Sequence, residues 1–492
     1  MRDQRKDHSP VTTMLLGFVI SFLLASCSGG GSPGALPSSS SGSIGTNRIT
    51  SPVTAPSSMP RPTASATAVA HFPAPTPTPT PVPAGSASAP DHVQSYAYYG
   101  ASNVNIGIPA SYMAAHTDIV EGGDATYLNA FKAAGGKTAI EYTDPSFVPY
   151  CPAPFTEPAG ACTGPIGSLV ANIPGAWLHD STGARLNHYD SPVYLYQEAL
   201  NPGSPAADGA FASYVNGLRA SMPQLDGVFA DDSGSPFEGL WWDFSSPNPV
   251  EITNDAQWIA AESAMLQAAG IKVIYNGGNN PDLGPSGPAY YSTGAPFLSL
   301  SNVIGQNREG CLDDSTEGLH TDHTPNDDYL SNDLNGLLEV QSLDKVAVCM
   351  TGSLVDVASR TYAYAAFMLI YAPSYSAFGG VTPLSDGEAV YPETQLVPQQ
   401  PLTSATTDVS VLLHGGVYVR EFAACSIAKV SIGACAAIVN SSSSSAAIPS
   451  LTQQYTRHIV LPANSLYGGG VATAASGAPT SLAAASAVIL VQ

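Results

Sequence analysis

The chain has 492 residues, room for about three domains at roughly 150 each, although its first ninety or so are too biased in composition to bury a core. Its 16 basic and 38 acidic residues give a formal net charge of −22, and such a surface repels phosphate backbones and anionic membranes, so no nucleic-acid partner is expected. Only 11% of residues are charged while 44% are apolar, the opposite of what whole-chain disorder requires.

Arg2, Arg5 and Lys6 precede an apolar run from Met14 to Ala25, which is too short for a permanent bilayer span and suits the core of a signal peptide. It ends in Leu24-Ala25-Ser26-Cys27, which resembles the lipobox of bacterial lipoproteins. That resemblance implies cleavage before Cys27, acylation of its thiol and a lipid-anchored location on the cell envelope. Ser28 resembles the residue at that position in lipoproteins sent to the outer membrane. Residues 1–27 are thus read as a signal peptide. Residues 28–90 are rich in Gly, Ser, Pro, Thr and Ala, and include an alternating run from Ala74 to Pro81, so they read as an extended tether. The other cysteines fall into three local groups, Cys151 with Cys162, Cys311 with Cys349, and Cys425 with Cys435, expected as three disulfides in an oxidising compartment.

From Asp91 to about residue 385, short β-rich runs alternate with polar loops and helical stretches, which argues for parallel βα units. Candidate strands are 94–99, 137–142, 176–179, 227–231, 272–276, 302–307, 345–350 and 375–379. Eight strands suggest a (β/α)8 TIM barrel, with helices expected over 125–134, 205–221, 256–269 and 355–371. Residues 400–492 alternate polar and apolar residues at 409–413, 417–422, 437–440, 458–461 and 487–491, and read as a small antiparallel β-sandwich.

In such a barrel the chemistry sits where strands end at their carboxyl side. The fourth candidate strand runs into Asp231 and Asp232. Successive side chains alternate, so at most one faces the mouth, and Asp231 is favoured. Asp232 is left as a cap, an orienting neighbour, or the catalytic acid in a slipped register. The sixth strand ends at Glu309, with Cys311 close behind. Two carboxyl groups facing each other across a rim are what glycosidic hydrolysis needs, one as acid and the other as nucleophile or as base to water. Glu141, His179, Asp180 and Asn276 are supporting candidates at other strand ends, and Tyr98, Trp241 and Trp242 are candidates for stacking on sugar rings. No metal site or cofactor is expected: there is no HExxH, P-loop, GxSxG elbow or dinucleotide fingerprint.

The segments Trp177-Leu178-His179-Asp180, Leu200-Asn201-Pro202 and Asp226 to Asp232 resemble the third-to-fourth-strand region of bacterial glycosyl hydrolase barrels, distantly similar to endo-α-galactosaminidases and the α-galactosidase clan. Val273 to Asn276 and the strand ending at Glu309 are similar to the succeeding strands, and Tyr418 to Phe422 to the opening of the C-terminal β-domain. The resemblance implies a carbohydrate substrate, a catalytic acid at Asp231 with Asp232 adjacent, and a second at Glu309. The insert bearing Cys151 and Cys162, and the long loop from Asp282 to Leu300, depart from that pattern. The expectation is a monomeric surface glycoside hydrolase acting on a poly- or oligosaccharide. Its alternative is a non-catalytic carbohydrate-binding lipoprotein that keeps the barrel.

Overall fold

A computed structural model describes residues 91–98, 108–122, 125–149, 165–186, 197–231, 233, 249–276, 295–314, 318–323, 330–351, 356–380, 392–403, 408–463 and 470–492. Cys27, the tether, Cys151 and Cys162 lie outside them, and no helix among the described residues is long and apolar enough to cross a membrane.

Eight parallel strands form the barrel: β1 (Tyr96–Tyr98), β2 (Ile119–Glu121), β3 (Thr138–Thr143), β4 (Gly227–Ala230), β5 (Lys272–Asn276), β6 (Val303–Glu309), β7 (Val346–Thr351) and β8 (Ser376–Gly380). The ring closes where Ser95 bridges Phe378, whose N–H donates to the Gln94 carbonyl at 3.0 Å. Tyr96, Ile119, Ile140, Phe229, Ile274, Val348, Met350 and Ala377 fill the interior, while alternate residues such as Val228, Val273 and Tyr275 pack outward under the helices.

The expected strand count holds, but two of its members differ. β2 falls between the first and second candidate strands, where none is expected, and residues 176–179 are not a barrel strand. Pro174–Ala176 forms a 3-10 turn, after which Trp177 pairs with Leu200 and His179 with Arg185 in antiparallel bridges. This region belongs to a long excursion between β3 and β4 that packs into the main core, where the buried Trp177 donates its indole N–H to the Val170 carbonyl at 3.1 Å. The two differences cancel, so Asp231 still follows the fourth strand and Glu309 still ends the sixth.

Helices α1 (Ala110–His116), α2 (Ala125–Ala133), α3 (Pro165–Val170), α4 (Pro205–Ser221), α5 (Asp255–Ala268), α6 (Ala295–Leu298), α7 (Leu330–Ser342) and α8 (Val357–Ile370) surround the barrel and its excursion. α5 is capped by Asn254, whose side chain accepts from the Gln257 N–H, and α8 by Asp356, which accepts from Ala358 and Ser359. From Tyr362 to Ile370 every residue of α8 is buried, because the C-terminal sheet covers the side facing away from the barrel.

That sheet contains β9 (Leu396–Pro401), β10 (Val417–Ile427), β11 (Val430–Asn440), β12 (Arg457–Val460), β13 (Thr473–Ser476) and β14 (Ser486–Val491), antiparallel throughout in the order β9-β10-β11-β14-β12-β13. A two-stranded ribbon, Ala446–Ala447 with Ser481–Leu482, adds a small second layer. The alternating run at Val409–Leu412 is a 3-10 turn rather than a strand, because Asp408 accepts from the Ser410 N–H and starts a local helix instead. Cys425 and Cys435 pair across the β10–β11 hairpin, and Cys311 pairs with Cys349 behind the barrel rim. Arg420 of β10 donates to the carbonyls of Met368, Leu369 and Tyr371, satisfying the open end of α8 and joining sheet to barrel.

Candidate active site

Three strand ends converge at the carboxyl side of the barrel. Asp231 continues the inward row of Phe229, and its N–H donates to the Thr143 carbonyl at 2.8 Å. Asn276 continues the inward row of Ile274. Its Nδ2 donates to Asp231 Oδ1 at 2.9 Å and to Glu309 Oε2 at 2.9 Å. Those two carboxylate oxygens therefore lie no more than twice 2.9 Å apart. The Tyr142 hydroxyl, one strand back on β3, donates to Asp231 Oδ2 at 2.6 Å. Asp231 and Glu309 are half-buried, so both reach solvent while their partners hold them from beneath.

Glu309 faces this hollow because of a bulge. Val273 of β5 pairs with Val303, yet the next residue, Ile274, pairs with Gly305, leaving Ile304 as an extra residue. Val303 packs outward, so strict alternation would have turned Glu309 outward too. The extra residue inverts the parity, and Gly305, Asn307 and Glu309 face in, with Glu309 opposite inward-facing Met350. A Cβ at Gly305 would stand 2.5 Å from the Val346 carbonyl oxygen, so glycine permits the close approach of β6 to β7.

Behind Glu309 the chain is tied down. Arg308 points away from it, and its Nε donates to Asp333 Oδ1 of α7 at 3.0 Å. Asp333 Oδ2 also accepts from the Leu312 N–H at 3.0 Å and lies 2.6 Å from His320 Nδ1. Burial works against charge on Asp333, but Arg308 and His320 outweigh it and hold that carboxyl well below the usual range. The Cys311–Cys349 disulfide then fastens the same turn to β7.

Glu121 and Asp144 complete the acidic surroundings. Glu121 ends β2 on the inward side, fully buried, with the Tyr96 hydroxyl donating to it. Burial pushes its carboxyl well up; the Tyr96 bond opposes this, and the charges of Asp231, Glu309 and Glu141 add to it. Asp144, in the turn after β3, accepts at Oδ1 from the N–H groups of Ser146 and Phe147 at 3.0 and 2.7 Å. Burial and the charge of Asp231 push this carboxyl well up too. Asn307 sits in register with Asn276, fully buried, and neither amide atom has a hydrogen-bond partner among the described residues.

The other expected site residues distribute differently. Glu141 pairs in register with outward-facing Val228, and the Tyr214 hydroxyl of α4, raised chiefly by burial, is raised further by the charge of Glu141, which places that acid on the helix side of β3. His179 Nδ1 lies 2.7 Å from Glu251 Oε1, and Asp180 closes a turn by accepting from Thr182 and Ala184; neither hydrogen-bonds to Asp231, Asn276 or Glu309. Asp232, Trp241, Trp242 and the Tyr98 side chain lie outside the described residues. Among those described, no group of three His, Cys, Asp or Glu residues is poised to hold a metal ion. Sequence reasoning missed Tyr142, read only as the end of a strand, and Glu121, whose signal was a short β-branched run ending in an acid before Gly122-Gly123.

No protein-family model matches the chain, and no curated protein sequence does either. Among solved structures, the glycoside hydrolase domain of PelA from Pseudomonas aeruginosa is similar over 60% of this chain and 96% of its own, with 15% identity and a TM-score of 0.37. Ega3 from Aspergillus fumigatus, in complex with galactosamine, is similar over 60% and 94%, with 12% identity and a TM-score of 0.32. A GH27 β-L-arabinopyranosidase from Geobacillus stearothermophilus is similar over 82% and 96%, with 10% identity and a TM-score of 0.38. These structural neighbours are glycoside hydrolases, but at such scores the likeness carries no weight in assigning chemistry, which rests on the site.

Proposed function

We propose that this chain is a glycoside hydrolase acting on a poly- or oligosaccharide, with Asp231 as nucleophile and Glu309 as general acid and then base. One observation carries the reading: a single amide nitrogen, Asn276 Nδ2, is shared by two carboxylates from separate strands. Each oxygen of Asp231 receives a hydrogen bond, from Asn276 and from Tyr142, which favours the ionised form a nucleophile needs. The short separation suits the covalent, configuration-retaining route, where carboxyl groups stand about 5–5.5 Å apart, rather than the inverting one, which leaves about 6.5–9.5 Å for a water between them.

In the first step Asp231 bonds to the anomeric carbon while the glycosidic C–O bond breaks, and Glu309 gives its proton to the leaving oxygen. In the second step Glu309 takes a proton from water, whose oxygen bonds to the anomeric carbon and releases Asp231. No cofactor is required. The same proposal places the enzyme on the cell envelope, acylated at Cys27 and extended on the 28–90 tether. Loss of fatty-acid labelling in Cys27→Ser tests the anchor.

The test of function is release of reducing ends from a panel of oligosaccharides, with the anomer of the first product read by proton NMR. Release with retention, abolished in Asp231→Asn of unchanged melting temperature, supports the proposal. Binding of a panel member without any release favours the non-catalytic reading.

A further inference from the structure

Glu262 is a fully buried acid that neither the core nor the proposed chemistry explains. It lies in the middle of α5, outside the barrel wall, with no ion-pair partner among the described residues. Its Oε1 accepts from Ser146 Oγ at 2.8 Å and its Oε2 from Trp258 Nε1 at 3.0 Å, one helical turn back. Ser233 hydrogen-bonds to the same carboxyl.

Both serines belong to turns that bear site acids. Ser146 donates its N–H to Asp144, whose carboxyl feels the charge of Asp231. Ser233 donates its N–H to the Asn276 carbonyl at 2.9 Å, and its hydroxyl oxygen lies 3.3 Å from the Asp231 carbonyl. The α5 carboxyl is thus the junction at which the turn after β3 and the turn after β4 meet, directly behind the residue that bridges the pair.

We propose that Glu262 is a positioning residue, tying these two turns together through its carboxyl group and so fixing where Asp231 and Asn276 stand. This rests on the glycosidase reading for its effect on turnover. Burial, opposed by the bonds from Ser146, Trp258 and Ser233, pushes the Glu262 carboxyl up to about 8. The acid whose charge couples to it is Asp144, itself buried and pushed up, so losing the Glu262 proton would set an uncompensated charge among buried groups that no cation offsets among the described residues. Turnover should therefore fall as pH rises through about 8, by loss of geometry rather than by titration of Glu309.

Glu262→Gln keeps the shape and cannot ionise. It should keep kcat near pH 6 and carry it past the wild-type alkaline limit. Glu262→Leu, or Ser146→Ala with Ser233→Ala, should lower kcat by about tenfold with little change in KM, the signature of lost alignment. An independent readout needs no substrate. A carboxyl raised in the folded state favours folding below its unfolded value and loses that contribution as pH rises towards its folded value. The melting temperature of wild type should therefore drop relative to Glu262→Gln between about pH 4.5 and about pH 8. Parallel melting curves for the two proteins, or a folded serine double variant with wild-type kcat, overturn the proposal. A wild type that releases no sugar from any panel member, while the melting curves still diverge, defeats the glycosidase reading and leaves the linkage between the turns standing.

Discussion

The two ends of the barrel treat their acids in opposite ways. At the amino ends of the strands, Asp118 precedes β2 and Asp226 precedes β4. Asp118 lies 3.1 Å from His92 Nε2, pairs with Lys137 and accepts from the Ser95 N–H at 2.9 Å. Asp226 pairs with Lys132 at 2.8 Å and accepts from the Ala139 N–H at 2.9 Å. At the carboxyl ends of the same strands stand Glu121, which accepts from the Tyr96 hydroxyl, and Asp231, which accepts from the Tyr142 hydroxyl and the Asn276 amide. Burial works to raise Asp118, but the bonds from His92 and Lys137 prevail and hold it below its ordinary value; burial of Glu121 wins and holds it above. An acid matched with cations, such as Asp118, secures the structure, whereas Glu121, buried with its carboxyl pushed up, is kept at a cost in stability, as at sites that do chemistry.

The sharpest way to break this contrast is to neutralise one acid at each end. Asp231→Asn or Glu309→Gln should lower kcat by about a thousandfold or more and leave melting unchanged or slightly raised, as read by glycan release and calorimetry. Asp118→Asn should do the reverse, costing about 1–3 kcal/mol of stability at neutral pH with kcat retained. Because its carboxyl is held low in the folded state, that stabilisation is present above the ordinary aspartate range and disappears as pH falls through the folded value. The variant and wild type should therefore converge in acid. Tyr142→Phe removes one donor to Asp231 and should cost about tenfold in kcat, with KM nearly unchanged. The smallest effect is in Glu121→Gln. Its melting temperature should gain a few degrees on wild type, ~2–4 °C, as pH rises above about 4.5, since the raised carboxyl favours folding only while the unfolded chain also holds that proton.

Much of this arrangement is legible in the residues, for reasons that differ along the chain. The runs Gly227–Ala230 and Lys272–Asn276 are apolar, bounded and end in polar residues, so strand and site are read together. Ile119–Glu121 is three residues long and offers no periodicity, which hides both the second strand and its buried acid. Ala176–His179 carries an apolar run of similar strength, but it packs into the main core from outside the barrel and pairs antiparallel there. The bulge at Ile304 is the least legible feature. Val303–Glu309 reads as an uninterrupted strand, and only the pairing of β5 with β6 reveals that one residue is extra and that Glu309 faces in. Glu141 shows the converse, an acid near a strand end with the wrong parity.

The most direct measurement is the mass of the protein after exposure to a panel of aryl glycosides with good leaving groups, using Glu309→Gln to slow the second step. The account predicts an added glycosyl unit that peptide mapping places on Asp231. An enzyme that turns over sugar yet carries the adduct elsewhere, or whose Asp231→Asn variant turns over as wild type does, contradicts it.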